Sequence, residues 1–189
     1  RYDPATGVFT ATTTPMAAYR SVHTATLLLS GQVLIAGGRF AGVSYLLTTE
    51  LYDPPSGVFT VTVGPMITER ERHEATPLPD GTVLLAGGYD GTSYLATAEG
   101  FTPATGSFTA TNMPMVEARA FQTATLLESG RVLMAGGYAA STLNTAELYD
   151  PASKTFTATN GFMGSARAYH TATLLPSGLV LLTGGVEPV

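Results

Sequence analysis

The sequence predicts an all-β fold built from four copies of one repeat, each copy supplying four short antiparallel strands. The repeat is clearest in an apolar run that ends in a pair of glycines. These pairs begin at Gly37, Gly87, Gly136 and Gly184, so successive copies are 50, 49 and 48 residues apart. No segment shows helical periodicity. A regular period near fifty residues without helices is typical of a repeat protein made of β-sheets.

Two further markers recur in phase with the glycine pairs. An aromatic-x-Pro turn precedes a second aromatic residue in every copy, and an arginine precedes an alternating stretch that reads as a strand. A Ser-Gly or Asp-Gly turn then joins this strand to the apolar run, which predicts a hairpin. The turns are Tyr2-Asp3-Pro4, Tyr52-Asp53-Pro54, Phe101-Thr102-Pro103 and Tyr149-Asp150-Pro151, followed by Phe9, Phe59, Phe108 and Phe156.

One four-stranded sheet cannot bury both of its faces, so the copies must stack, and radial stacking gives a β-propeller. We predict one domain over residues 1–189, with repeats at about 2–51, 52–100, 101–148 and 149–189. The chain opens in a third strand and closes after a second one. We therefore expect residues 1–14 to pair with the strands within 165–185 and to close a ring of four blades, which hides the sheet edges. The alternative is a slice of a larger propeller of about six to eight blades.

The glycine pair, the Tyr-Asp-Pro turn, the aromatic residue after it and a Pro-Met-x-x-x-Arg element together resemble kelch repeats, of a bacterial type. The last element is present at residues 15–20, 65–70 and 114–119, while Phe162 replaces its proline in the fourth copy. Phenylalanine stands where kelch repeats commonly carry tryptophan. The resemblance covers nearly the whole chain, and it implies a propeller whose loops face a ligand.

The composition excludes several function classes. Only 12% of the residues are charged and Lys154 is the sole lysine, so the sequence lacks the basic stripe that binds nucleic acid. No apolar run approaches the roughly 20 residues that span a bilayer. The absence of cysteine excludes disulfides, thiolate nucleophiles and sulfur-ligated metals. We expect no cofactor, no nucleic-acid partner and no membrane insertion, and the resemblance to secreted bacterial β-proteins suggests an extracellular or cell-surface location.

Arginine and glutamate recur at fixed positions of the repeat. The arginines are Arg20, Arg70, Arg119 and Arg167, and the glutamates, in three copies, are Glu50, Glu99 and Glu147. A planar guanidinium matches a carboxylate with two parallel hydrogen bonds, so we expect structural ion pairs within the propeller. The alternative is an arginine ring around a central channel that receives an anion.

His23, His73 and His170 occupy one repeat position, which the third copy fills with Gln122. Three equivalent imidazoles on adjacent blades suit a metal site in principle. Glutamine, however, copies a hydrogen bond of histidine more readily than it copies a zinc ligand. We therefore predict structural hydrogen bonding at this position and no metal site.

The loops after the glycine pairs differ most between copies, and function tends to lie in such loops. We predict binding residues there at Tyr45, Tyr89, Asp90, Tyr94 and Tyr138. A second candidate position lies two residues after each arginine, where Val22, Arg72, Phe121 and Tyr169 stand; of these, Arg72 and Tyr169 are predicted to bind. Tyrosine offers an aromatic face with a polar tip, which stacks on sugars or anchors a protein partner. The alternative is that the loop tyrosines are ordinary aromatic plugs.

No acid–base pair stands apart from the repeated positions, and no glycine-rich phosphate loop occurs. We therefore expect no enzymatic activity, and predict a binding or structural propeller that contacts a glycan or a protein through one loop face. The first alternative is a carbohydrate-active enzyme of the kelch type, either a sugar isomerase or a lyase. The second is a structural unit that self-assembles. A pocket lined by a histidine and a carboxylate would favour the enzyme.

Overall fold

The computed structural model describes residues 1–42 and 44–186, so residues 187–189 of the fourth predicted repeat lie outside the described part. Those described residues contain eighteen strands and no helix, and hence no helix that could cross a membrane. The strands are β1 (Tyr2–Asp3), β2 (Val8–Phe9), β3 (Thr24–Leu27), β4 (Val33–Ala36), β5 (Arg39–Phe40), β6 (Ser44–Tyr45), β7 (Thr49–Asp53), β8 (Val58–Val61), β9 (Glu74–Pro77), β10 (Val83–Ala86), β11 (Ala98–Thr102), β12 (Ser107–Ala110), β13 (Thr123–Leu126), β14 (Val132–Ala135), β15 (Ala146–Asp150), β16 (Thr155–Ala158), β17 (Thr171–Leu174) and β18 (Val180–Thr183).

Twelve of these strands form three four-stranded antiparallel sheets. The first sheet has the order β3-β4-β7-β8, the second β9-β10-β11-β12 and the third β13-β14-β15-β16. The other six strands form three two-stranded hairpins, β1-β2, β5-β6 and β17-β18. The all-β class and the antiparallel strands predicted from sequence are confirmed. The prediction of four complete four-stranded sheets is wrong, because the described residues form three.

The three sheets share one register. The first residue of the second strand lies opposite an aromatic residue of the third strand in every sheet: Val33 opposite Tyr52, Val83 opposite Phe101, and Val132 opposite Tyr149. The aromatic residue then packs on the phenylalanine of the fourth strand, with ring centroids 4.7–4.9 Å apart. The aromatic marker of the sequence is therefore a cross-strand pair near one end of each sheet.

Successive sheets pack face to face. The innermost strands β3, β9, β13 and β17 contact one another in that order. One apolar cluster joins the first and second sheets and includes Leu34, Leu85 and Phe101, while another joins the second and third sheets and includes Leu84, Met134 and Tyr149. The second sheet thus buries both of its faces, and the first and third sheets each bury the face that meets the second.

The glycine pairs are required where successive copies meet. Gly37, Gly87 and Gly136 have φ values of 63°, 69° and 60°. A Cβ on any of them would collide with the carbonyl oxygen of the arginine in the next copy. Any side chain there would both strain the backbone and push two copies apart.

The predicted closure of the ring is wrong. Within residues 1–42 and 44–186, strand β18 pairs with β17 alone, and β1 pairs with β2 alone. The segment after the β1-β2 hairpin follows the first sheet, as the equivalent segments of later copies follow the next sheet: the Thr13 amide donates to the Gly57 carbonyl at 2.8 Å, and the Phe59 amide donates to the Thr14 hydroxyl at 2.9 Å. These bonds hold the first fourteen residues beside the first sheet, at the other end of the row of sheets from β17-β18.

Candidate functional site

Three of the four repeated arginines are held in buried ion pairs. Nη2 of Arg20, Arg70 and Arg119 lies 2.7, 2.8 and 2.7 Å from a carboxylate oxygen of Glu50, Glu99 and Glu147 respectively. These side chains are 2% exposed or less. Each arginine also donates through Nη1 to the first glycine carbonyl of its own copy, at 2.6–2.8 Å. The arrangement ties the loop before the first strand to the second and third strands.

The glutamates of these pairs accept backbone hydrogen bonds as well. The amides of Ala17, Ile67 and Val116, next to the Pro-Met element, donate to Glu50, Glu99 and Glu147 at 2.7, 2.7 and 2.6 Å. Both partners are thus used internally, and the guanidinium groups are not aimed at an external anion. Among the described residues Arg167 has no carboxylate partner and donates only to the Gly184 carbonyl, at 3.0 Å.

The histidine position links successive copies. His73 Nε2 is hydrogen-bonded to the Thr24 hydroxyl at 2.9 Å, and His170 Nε2 to the Thr123 hydroxyl at 3.0 Å. Gln122 makes its own link by donating to the Ala86 carbonyl at 2.9 Å. Burial, with a smaller contribution from the Arg70 charge, lowers the pKa of His73 to about 3, so its imidazole is neutral. The described residues contain no group of three metal-ligating side chains.

An open pocket of about 410 Å³ lies where the four copies meet. Its lining comes from three consecutive repeat positions, beginning two residues after the arginine: Val22, His23, Thr24, Arg72, His73, Glu74, Phe121, Gln122, Tyr169 and His170. The second candidate position predicted from sequence therefore faces a common concavity.

Main-chain hydrogen bonds run around this pocket from copy to copy. The amides of Arg72, Phe121 and Tyr169 donate to the carbonyls of Val22, Arg72 and Phe121 in turn, at 3.2, 3.2 and 3.1 Å. All four residues have positive φ values, between 50° and 58°. Residues other than glycine rarely adopt a positive φ, because it strains the backbone. Strained residues of this kind are concentrated at functional sites.

The side chains on this main-chain ladder form an aromatic and cationic surface. The Arg72 guanidinium carbon lies 4.4 Å from the centre of the Phe121 ring, and the Phe121 and Tyr169 rings are 4.2 Å apart. Glu71 forms ion pairs with Arg39 at 3.1 Å and Arg72 at 3.2 Å, which hold Arg72 in place. Tyr169 is 58% exposed. The surface offers stacking and hydrogen bonding together.

Glu74 lines the pocket and is absent from the residues predicted from the sequence. The other copies carry Thr24, Thr123 and Thr171 at its position. Burial raises the pKa of Glu74 to about 7, and no ion pair in the described part of the chain compensates for this burial. Its carboxyl group is therefore partly protonated near neutral pH. A position-by-position comparison of the four copies would have revealed it as the one departure from threonine.

The predicted loop tyrosines come together in one cluster. The centroid distances are 5.8 Å from Tyr45 to Tyr89, 5.1 Å from Tyr89 to Tyr94, and 5.4 Å from Tyr94 to Tyr138. All four are half-buried. The pKa of Tyr94 is raised, first by partial burial and then by Tyr138, Tyr89 and Tyr169, with a smaller opposing effect of Arg72. Main-chain bridges join Tyr89 to Glu71 and Tyr138 to Ala120, the residues just before Arg72 and Phe121, so the tyrosine cluster lies next to the pocket surface.

Asp90 has a local role beside this cluster. Its Oδ1 atom accepts hydrogen bonds from the amides of Thr92 and Ser93, both at 2.8 Å. It thereby fixes the turn that leads to Tyr94. Gly91, within the same turn, has a φ of 98°, and a Cβ there would collide with the Tyr45 ring. Asp90 and Gly91 accordingly shape the surface on which the tyrosines lie.

The fold and the site define an all-β protein of repeated antiparallel sheets with an aromatic, arginine-bearing face at one end. Neither a scan against protein-family models nor a search of curated proteins finds a match for this chain. The likeness to kelch repeats therefore depends on the repeat markers themselves.

Proposed function

We propose that this chain is a non-catalytic binding module, a segment of a kelch-like β-propeller that binds a glycan. The observation that carries the proposal is the tyrosine cluster beside the stacked pocket residues Arg72, Phe121 and Tyr169. Aromatic rings pack on the apolar faces of sugar rings, while tyrosine hydroxyls and guanidinium groups bind sugar hydroxyls. A binding site of this composition suits a neutral or acidic oligosaccharide.

The propeller part of the proposal is supported by the way the sheets are stacked. Three four-stranded sheets follow one another through their innermost strands, and the loops after the glycine pairs lie at the same end of each. A propeller places such loops on one face, where they act together on one ligand. An extracellular location agrees with a glycan ligand.

We expect Tyr94→Ala and Arg72→Gln each to weaken glycan binding about tenfold or more, because truncating a central contact residue typically costs about 2 kcal/mol. The measurement is a glycan array with the labelled chain, followed by calorimetric titration of the best ligand. Tyr2→Ala is the matched control, since Tyr2 is an exposed tyrosine outside the cluster. Thermal unfolding of each variant separates lost contacts from lost stability.

Two results would contradict this function. One is a wild-type chain that binds no glycan on the array while it binds a protein ligand through the same residues, which would favour protein recognition. The other is glycan binding that both Tyr94→Ala and Arg72→Gln leave unchanged, which would place the glycan site elsewhere.

A carbohydrate-active enzyme, an isomerase or a lyase, is the second candidate. It is favoured by Glu74, whose pKa is raised to about 7, lying in the same open pocket as three histidines. A carboxyl group with such a pKa is suited to general acid–base catalysis. However, His73 is neutral and its Nε2 atom is hydrogen-bonded to the Thr24 hydroxyl. Of His73 and Glu74, only Glu74 therefore gains or loses a proton near neutral pH. Turnover of a sugar panel followed by NMR, present in wild type and lost in Glu74→Gln, would establish the enzyme.

A further inference from the structure

Arg72 brings a positive charge to the pocket, and most of its hydrogen-bonding capacity is unused. Its Nε atom donates to a Glu71 carboxylate oxygen at 3.2 Å, which is the only hydrogen bond of this side chain within residues 1–42 and 44–186. The side chain is 27% exposed, and its Nη atoms are not among the buried atoms that lack a partner. The Nη edge of the guanidinium group is therefore open to a ligand.

The guanidinium group is fixed from two sides. Its carbon atom lies 4.4 Å from the centre of the Phe121 ring, and Tyr169 continues the stack with a centroid distance of 4.2 Å. Glu71, whose side chain is 4% exposed, holds the Nε atom from the other side. A guanidinium group held in this way loses little freedom when it binds, so its planar fork is preorganised for a carboxylate.

The charge of Arg72 is only partly balanced by Glu71. One Glu71 oxygen lies 3.1 Å from Arg39 Nε and the other lies 3.2 Å from Arg72 Nε, so a single carboxylate is shared by two guanidinium groups. The carboxylate of Asp90, on the adjoining loop, accepts two amide hydrogen bonds of its own turn. The trio of Arg39, Glu71 and Arg72 thus carries one positive charge in excess, which a ligand anion would balance.

Glu74 lies in the same pocket and takes part in none of the ion pairs of the described residues. Its oxygens are not among the buried atoms that lack a partner, so they reach the open space of the pocket. The strands packed against β9 are β3, β10 and β13, and none of them carries a titratable side chain. The Glu74 carboxyl group is therefore available to a ligand that occupies the pocket.

The other charged and imidazole groups of the lining keep one charge state above pH 6.5. Arginine stays protonated in proteins, so Arg72 is always charged. The pKa values of the three histidines are lowered from 6.5, first by burial and then by a neighbouring arginine, which leaves them largely neutral: His23, His73 and His170. Of the carboxyl and imidazole groups in the described lining, only Glu74 changes its charge near pH 7.

We propose that the ligand of this face is a carboxylate-bearing glycan, such as an oligouronate, whose carboxylate binds the Nη edge of Arg72. A second oxygen of the same sugar chain accepts a hydrogen bond from the Glu74 carboxyl group. Tyr169, which is 58% exposed, packs on the sugar ring beside the carboxylate. This inference rests on the proposed glycan-binding function and narrows its ligand to one chemical class.

Binding of such a ligand depends on pH. When Glu74 loses its proton, it loses the donor and gains a negative charge that repels the ligand carboxylate. The ligand itself stays ionised throughout, because carboxyl groups in water ionise below about pH 5. The binding-competent fraction of the chain therefore shrinks as pH rises past the Glu74 pKa of about 7. The affinity is expected to fall about tenfold or more between pH 6.5 and 8.5.

The test is calorimetric titration of the whole chain with acidic tetrasaccharides of galacturonate, mannuronate or glucuronate units. Each has a matched neutral probe, in which the carboxyl groups are reduced to alcohols. At pH 6.5 we expect at least one acidic probe to bind about tenfold or more tightly than its neutral counterpart. Arg72→Gln is expected to abolish this difference. Arg72→Lys, which keeps the charge but loses the planar fork, is expected to be intermediate.

Two variants isolate the role of Glu74. Glu74→Gln keeps a hydrogen-bond donor and cannot ionise, so its affinity for the acidic probe is expected to match that of wild type at pH 6.5 and to stay constant up to pH 8.5. Glu128→Gln removes a negative charge from an exposed turn and is expected to keep the pH dependence of wild type. Thermal unfolding at each pH confirms that every variant is folded.

Three outcomes would overturn the inference and leave the glycan-binding function intact. The first is a neutral glycan, bound through Tyr94, that binds as tightly as every acidic probe or more tightly. The second is an acidic probe whose affinity Arg72→Gln leaves unchanged. The third is an affinity that does not fall between pH 6.5 and 8.5, or that falls equally in Glu74→Gln. Failure of every probe and of every glycan on the array would instead refute the glycan-binding function, and this inference with it.

Discussion

Replacing Arg119 by methionine is expected to lower the free energy of unfolding by about 3–5 kcal/mol, because the substitution strands the buried Glu147 carboxylate without its counter-charge. The Arg119 side chain is 0% exposed and bonds both Glu147 and the Gly136 carbonyl. Methionine fills most of the volume, so the loss is electrostatic. Equilibrium urea unfolding at neutral pH measures it.

Arg167→Met is the matched control for this experiment. Arg167 occupies the same repeat position, but among the described residues it bonds only one carbonyl group. We expect its replacement to cost about 1 kcal/mol, the usual net value of one hydrogen bond. The double variant Arg119→Met/Glu147→Leu is expected to recover part of the loss, since both charges are then absent. Equal losses at Arg119 and Arg167 would show that the carboxylate contributes nothing.

Glu74→Gln is expected to stabilise the protein by about 2–3 kcal/mol at pH 8 and to leave its stability unchanged below about pH 4.5. Burial raises the pKa of Glu74 from 4.5 to about 7. Between these two values the folded chain holds a proton that the unfolded chain has released, so stability falls as pH rises through this window. A shift of this size corresponds to about 3 kcal/mol, and the partial exposure of the side chain reduces it slightly.

The measurement is the difference in unfolding free energy between wild type and Glu74→Gln across pH 4–8. Taking this difference removes the contribution of His73, which is the same in both proteins. The lowered pKa of His73 makes the protein less stable as the pH decreases from 6.5 towards 3, the opposite direction to Glu74. Glu128→Gln, on an exposed turn, controls for the loss of one negative charge. If the difference in unfolding free energy between wild type and Glu74→Gln does not change with pH, Glu74 is not a buried carboxyl group with a raised pKa.

The sequence predicted those features of the fold that recur locally. Four copies in phase identify the hairpins and the partners Arg70 and Glu99, because each depends on positions within one copy. Ring closure depends on how two distant ends of the chain meet, and repeat phase alone does not determine this. Among the described residues β1 does not pair with β18, and no residue pattern within the copies indicates this.

The candidate site was predicted in part. The variability of the loops pointed to Tyr45, Tyr89, Tyr94 and Tyr138, and the structure brings all four into one cluster. Their half-burial means that they also support each other, which no single loop reveals. Glu74 was not predicted because it departs from the repeat: the other three copies carry threonine at its position.

At the pocket, main-chain groups hold the four copies together, while the side chains at the same positions line the pocket. The hydrogen bonds that connect Val22, Arg72, Phe121 and Tyr169 use only main-chain amide and carbonyl groups, so they do not require a particular side chain. Aliphatic, cationic and aromatic residues already occupy the four equivalent places. These four positions are therefore a natural site for a combinatorial library: four neighbouring side chains can be exchanged together to alter ligand choice on an unchanged scaffold.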